Sequence, residues 1–280
     1  MNESKIPKLL QEIPDPPKKL YIRGQLPTDE NLIYLTIVGS RKYTQYGKSV
    51  CEKLITGLSG YPFVVVSGLA LGIDAIAHRA ALDNNILTIA VPGSGLDESV
   101  LYPATNRKLA LEILHKGGAL ISELEPETKA APWTFPMRNR IMAGMSHAVL
   151  VIDAENKSGT RITARLATDY NREVFSVPGS IFSSVSEGCN ELIREGATPI
   201  TSSHDILNYF HLLDEQSPTQ QQIIALEPDE QMVLDLLNEP KSRNTLAGEL
   251  DLPIIKINIL LSSMEIKGLI TENLGKIYKK

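Results

Sequence analysis

The segment FVVVSGLALGIDAIAH (63–78) decides the fold. Four consecutive apolar residues lead into Ser67-Gly68, and after a short turn an amphipathic stretch runs from 73 to 83. A continuous apolar run, as opposed to an alternating one, marks a strand buried on both faces, as parallel strands between helical layers are. The same pattern extends in both directions. LTIVGS (35–40), LTIAVPG (87–93), ALISE (119–123), AVLVIDA (148–154) and EVFSVPG (173–179) are runs of this kind, and helical stretches at 45–58, 105–116, 160–170 and 188–195 separate them. Strands and helices alternating at this spacing predict βαβ units, hence an α/β fold with one open parallel sheet and helices on both faces. Four runs end at glycine: Gly39, Gly68, Gly93 and Gly179. Ligands of open α/β sheets sit at the carboxyl ends of the strands, and glycine there permits close backbone approach, so a site is expected along that edge.

The chain has 280 residues, enough for one large domain and one small one. Its formal charge of −5 excludes a protein that holds nucleic acid by bulk positive charge, but leaves room for a local basic groove. No apolar run approaches the length of a membrane span, and the first residues lack an apolar signal core, so a cytoplasmic protein with no membrane partner is expected. Cys51 and Cys189 stand far apart and suit neither a disulfide framework nor a zinc site.

Composition changes after Phe210, where DEQSPTQQQ (214–222) is polar and has no apolar period. The expected organisation is a lead-in segment over 1–31, the α/β domain over 32–212, a linker over 213–227 and a small domain over 228–280. That last domain reads as helices at 229–238, 244–251 and 253–268, followed by a hairpin turning at Asn273-Leu274-Gly275, an arrangement typical of a winged helix. Acidic residues outnumber basic ones there by one, so contact with a protein is as good a reading as contact with duplex DNA.

Three stretches carry chemistry. Gly39-Ser40-Arg41 closes the first long strand and opens toward a helix, which suits a phosphate cradle with a guanidinium beside it. Ser67-Gly68 ends the next strand. PWTFPMRNR (132–140) packs Trp133, Phe135, Arg138, Asn139 and Arg140 into nine residues: rings for stacking bases, and Arg and Asn for phosphates and base edges. Further on, Lys157-Ser158-Gly159-Thr160-Arg161 makes a second oxyanion-binding turn at a helix start. Over 129–165 six basic residues, Lys129, Arg138, Arg140, Lys157, Arg161 and Arg165, face Asp153 and Glu155, a local charge of +4. Asp74 and His78 share a helix face at i, i+4. They suit an acid–base or metal pair, but a helix-start carboxylate and an interior histidine suit the spacing better. The glycine pattern lacks GxGxxG, which argues against a dinucleotide.

Taken together, GSRKYTQYG (39–47), SGLALGIDAIAH (67–78), TIAVPGSGLDESVLYP (88–103), LISE (120–123), FPMRNRIMAG (135–144), SGTRITARLA (158–167) and VPGS (177–180) resemble the DprA/Smf family of DNA-processing proteins, in order and in register. The resemblance implies an extended Rossmann-like domain, a homodimer, no cofactor and no catalysis. It also implies sequence-independent binding of single-stranded DNA and delivery of RecA onto that DNA in natural transformation or recombination. Carried over by motif, the DNA-binding residues are Gly39, Ser40, Arg41, Ser67, Gly68, Phe135, Arg138, Arg140, Ser158, Gly159 and Thr160. The aromatic–basic stretch and the second turn add Asn139 and Arg161. The chain departs from the family pattern in three places. It has no room for the SAM-type helical domain that often precedes the lead-in. Pro132 stands where a basic residue is usual, with Lys129 or Trp133 as the replacement. Arg161 stands where an apolar residue is usual. The competing reading is a nucleotide hydrolase of the phosphoribohydrolase type using Asp74, His78 or Glu123, but 157–163 lacks the second glycine and the glutamate of the PGGxGTxxE signature.

Overall fold

The computed structural model describes residues 2–3, 6–156, 158–213, 228–250, 252–267, 269–273 and 275–279. The chain divides into two compact units between Leu213 and Asp214. Apart from Leu213, the expected linker lies outside the described residues.

The first unit opens with β1 (Asn2–Glu3), α1 (Lys8–Gln11) and β2 (Tyr21–Gly24). Then follow β3 (Ile33–Gly39), α2 (Gln45–Thr56), β4 (Phe63–Ser67), α3 (Ile73–Asp83), β5 (Leu87–Ala90), α4 (Arg107–His115) and β6 (Ala119–Ser122). α5 (Thr134–Gly144) leads to β7 (Ala148–Ile152), α6 (Gly159–Asp169), β8 (Glu173–Ser176), α7 (Ser184–Arg194), β9 (Thr198–Pro199) and α8 (Ser203–Tyr209). The strands form one sheet in the order β1-β2-β6-β5-β4-β3-β7-β8-β9.

Alternate residues of each central strand point to opposite helical layers. Val64 and Val66 pack with Ile141 and Met142 of α5 and Ala164 of α6. Phe63 and Val65 pack with Leu54 of α2, Ala77 of α3 and Ile206 of α8. Both sides are apolar, which is why the strand sequences read as unbroken apolar runs.

From β6 to β9 every neighbouring pair is parallel, as expected. The far edge is not. β2 lies antiparallel to β6, with Tyr21 opposite Ser122, and β1 lies antiparallel to β2. The lead-in therefore completes the sheet, and Leu10, Ile13, Leu20 and Ile22 are buried in the same core as α5 and α6. Arg172 clamps this segment by donating to the Leu9 carbonyl at 2.8 Å and pairing with Glu12 at 2.9 Å.

The chain builds outward from β3 through β4 and β5 to β6, then α5 returns it to the other side of β3 as β7. This reversal leaves a gap at the carboxyl ends of β3 and β7, the usual ligand position in such sheets.

The second unit holds α9 (Pro228–Leu236), β10 (Lys241–Ser242), α10 (Arg243–Glu249), α11 (Ile254–Ile266), β11 (Ile270–Asn273) and β12 (Lys276–Lys279). Its three strands are antiparallel in the order β10-β12-β11. Val233, Leu246, Ile257, Leu261, Met264 and Ile277 form its own core. Among the described residues, no helix of either unit is long and apolar enough to cross a membrane.

Candidate functional site

The gap between β3 and β7 is a crevice of about 510 Å³. Four segments meet there, one of them the turn from β4 into α3, which brings Ala70 and Asp74. The end of β3 and its loop supply Gly39, Ser40, Arg41 and Lys42. α5 supplies Phe135, Arg138 and Asn139, and the start of α6 supplies Ser158, Gly159 and Thr160.

α5 is where the aromatic–basic stretch folds. Pro136 falls in its first turn, where a missing N–H costs little. Thr134 fixes the start, its hydroxyl donating to the Gly93 carbonyl at 2.6 Å. One turn on, Arg138 passes over Gly68 so closely that a Cβ there would lie 1.2 Å from Nη1. That glycine makes room for the protein's own guanidinium. Gly93 does the same for the ring of Phe135, which would meet a Cβ at 2.6 Å.

Arg138 is buried, donates to the Val91 carbonyl at 3.1 Å and lies 3.7 Å from the Asp74 carboxylate. Asp74 also accepts the backbone N–H groups of Gly68 and Ala70. Burial pushes the Asp74 carboxyl above the ordinary aspartate range, and Arg138 and the two amides oppose that rise. An arginine keeps its proton even when buried, so this contact is a charged brace between α3 and α5 at the crevice wall.

The accessible chemistry lies beside the brace. The Arg41 guanidinium sits 5.2 Å from the centre of the Phe135 ring, a cation–π contact, and the Tyr102 ring meets Phe135 edge-on at 5.8 Å. Among the described residues neither Arg41 nor Lys42 has a carboxylate within ion-pair distance. Across the crevice, the Ser158 hydroxyl oxygen at the start of α6 is shielded from solvent and has no hydrogen-bond partner. A ring, two cations and a helix start with an unsatisfied hydroxyl together fit a planar group carrying an anionic oxygen.

Of the residues singled out from sequence, the fold brings together Gly39, Ser40, Arg41, Phe135, Arg138, Asn139, Ser158, Gly159 and Thr160. The others do not line the crevice itself, though Gly68 borders a small adjoining pocket with Arg41 and Phe135. Ser67 is fully buried and its hydroxyl donates to the Ile37 carbonyl at 2.6 Å. Gly68 lies behind Arg138. Lys129 is exposed on the loop before α5, away from the crevice lining. Arg140 pairs with Glu123 and with Asp15, bracing α5 to the lead-in. Arg161 pairs with Glu195 and borders a larger depression of about 940 Å³, which Arg165, Arg172, Asp169 and Glu173 also line. Trp133 is exposed and also lies outside the crevice.

The local +4 therefore does not survive folding. The partners of Arg138, Arg140 and Arg161 are Asp74, Glu123 and Glu195, all outside the window in which the charges were counted. Lys157 is outside the described residues. Lys42 is the residue that the sequence reading passed over; its signal is adjacency to Arg41 with no acidic residue nearby in the chain. Asp74, His78 and Glu123 are not brought together. His78 is fully buried with Nδ1 2.7 Å from the Thr88 hydroxyl, and Glu123 is held by Arg140.

The sequence signature of the DNA recombination-mediator protein A family matches residues 1–211. The chain belongs to this family. Among its relatives, the DNA processing protein DprA of Streptococcus pneumoniae is 42% identical over 201 residues, covering 72% of this chain and 70% of that protein. Protein Smf of Escherichia coli is 34% identical over 264 residues, covering 91% of this chain and 69% of the relative. DNA processing protein A of Helicobacter pylori, whose structure was reported for its single-stranded DNA binding mode, matches with a TM-score of 0.66 and 33% identity over 75% of this chain and 95% of that one. The large sheet flanked by helices is thus the fold of the family.

Proposed function

We propose that the crevice holds an unpaired DNA strand without sequence preference. The observation that carries this reading is the Arg41–Phe135 contact facing the unpartnered Ser158 hydroxyl at the start of α6. Base–ring stacking contributes about 1–3 kcal/mol per base and tolerates any base. Arg41, Lys42 and the α6 amides take the flanking phosphates. The one amide side chain in the crevice, Asn139, is turned to the Gly159 carbonyl at 3.5 Å, so few groups remain to read base edges. The relative from Helicobacter pylori, named for its single-stranded DNA binding mode, supports the same assignment.

The protein acts by holding the strand and not by turning it over, a reading favoured by the separation of Asp74, His78 and Glu123. Homodimerisation and delivery of RecA to the bound strand complete the proposal, in line with the family's description as a recombination mediator. The second unit, read as a winged helix, serves as a protein-contact element. Its Lys241, Arg243, Lys256 and Lys267 are engaged by Glu249, Glu272, Asp229 and Glu230, so that most of its described cations are committed to carboxylates, with Lys276 and Lys279 of β12 the exceptions.

The test is anisotropy of labelled oligo-dT, with a duplex and a nucleoside monophosphate as competitors and with the mass of the complex measured. Oligo-dT binds, the duplex competes poorly, the monophosphate is not consumed, and Arg41→Glu abolishes the signal. Equal affinity for duplex, turnover of the monophosphate, or normal binding by Arg41→Glu would each overturn the assignment.

A further inference from the structure

A second cavity, of about 430 Å³, opens on the same sheet edge between the start of α2 and the loop after β8. Thr44 and Tyr46 line it on one side, Ser180, Ser183 and Ser186 on the other. One loop joins it to the crevice: Arg41 and Lys42 border the crevice, and Thr44 and Tyr46 border the cavity.

Its surroundings are apolar rings. Phe182 is 95% exposed, at the tip of a turn closed by the Ser183 N–H on the Ser180 carbonyl at 3.1 Å. The Phe182 N–H donates in turn to the Ser180 hydroxyl at 3.2 Å. Tyr46 is half-exposed, and its hydroxyl donates to the Pro178 carbonyl at 2.8 Å, tying α2 to this loop. Tyr43, between the two sites, is exposed as well. A phenylalanine left in water forgoes the free energy of burying its ring, so a hydrogen-bonded turn that presents one favours a flat apolar partner.

The lining also has an unmet polar group. Ser186 is 5% exposed, and its hydroxyl makes no hydrogen bond among the described residues. It lies in the first turn of α7, whose N-cap Ser183 accepts no side-chain capping bond. A hydroxyl that faces the cavity with no protein partner, beside the open amides of a helix start, suits an anionic oxygen.

We propose that this cavity is a second nucleotide subsite for the same unpaired strand, with a base against Phe182 and Tyr46 and a backbone phosphate at the start of α7. The inference rests on the single-strand reading of the crevice. The strand leaves the crevice past Arg41 and Lys42, whose charges are unmatched, and follows the carboxyl edge of the sheet toward β8.

The test uses the full chain and oligo-dT of two lengths, roughly 5 and roughly 20 nucleotides, which bracket the span of one and several subsites. Phe182→Ala, which removes a solvent-exposed side chain and leaves the core intact, lowers affinity for the long oligonucleotide about fivefold, the low end of a stacking contribution. Affinity for the short one is unchanged, and Phe182→Trp restores the long one. A 5-iodouracil-substituted strand cross-links to Phe182 or Tyr46. Equal affinities for Phe182→Ala and wild type on the long strand, with Arg41→Glu still inactive on both, overturn the subsite and leave the crevice standing. A change in the mass of the DNA-free protein on Phe182→Ala also overturns it and assigns the face to a second copy of the chain. Failure of wild type to bind either length overturns both readings.

Discussion

Replacing Arg41 with alanine gives the sharpest view of the crevice, because its effect is a slope and not just a loss. Arg41 and Lys42 are the two described cations at the crevice with no carboxylate partner; Arg138 is already neutralised by Asp74. Each phosphate neutralised on a single strand contributes about −0.7 to the slope of log K against log salt, so two cations give about −1.4. Raising salt from about 50 to about 200 mM then weakens wild type about sevenfold. Arg41→Ala leaves one cation, a slope of about −0.7 and a loss of only about 2.6-fold over the same range. Arg140→Ala is the control. Its charge is committed to Glu123 and Asp15, so its slope should match wild type. Anisotropy of labelled oligo-dT across a salt series measures all three. An unchanged slope for Arg41→Ala, or an equal drop for Arg140→Ala, would refute the assignment of free and committed charges.

Two stability predictions follow from the buried groups. Burial holds His78 down to about 3, and its Nε2 has no partner. The unfolded chain takes up this proton near pH 6.5 and the folded chain does not. Stability is therefore intact above that pH and falls as pH drops toward 3, by about 1.4 kcal/mol per unit. Urea unfolding at pH 7 and pH 5 should cost wild type about 2 kcal/mol more than His78→Leu, and equal losses would exclude His78 as the source. Asp74→Ala strands the buried Arg138 charge and should lower unfolding free energy by about 3–5 kcal/mol, while Asp74→Ala with Arg138→Met should recover most of it. If the double variant is no more stable than the single one, the brace is not what Asp74 contributes.

The central sheet was legible because burial on both faces writes itself into consecutive residues: Val64, Val65 and Val66 need no partner to be recognised as a strand. β2 was not legible. Tyr21–Gly24 is short, half-polar and paired with Ala119–Ser122, so its strand character is conferred by a distant neighbour. The same limit governs the site. Arg41, Phe135 and Ser158 were readable from motif, but nothing near Arg140 or Arg161 in the chain announces Glu123 or Glu195. Ion pairing is a property of the packed molecule, and a window of sequence counts only half of each pair. Glycine misled in a similar way. Gly68 and Gly93 do permit a close approach, but what approaches is Arg138 and Phe135.

The seam between β3 and β7 also bears on how the chain comes to be folded. Leu35 pairs with Ala148, so β3 leaves the ribosome more than a hundred residues before its partner. At about 5–20 residues per second, its outer edge waits for roughly 6–20 s. During that interval it can pair only with β4, and the crevice has no second wall. Contacts this far apart in sequence are slow to form. The ligand site is therefore among the last parts of the unit to exist, and an emerging chain passes through a stage with a formed β3–β6 half-sheet and no capacity to hold a strand.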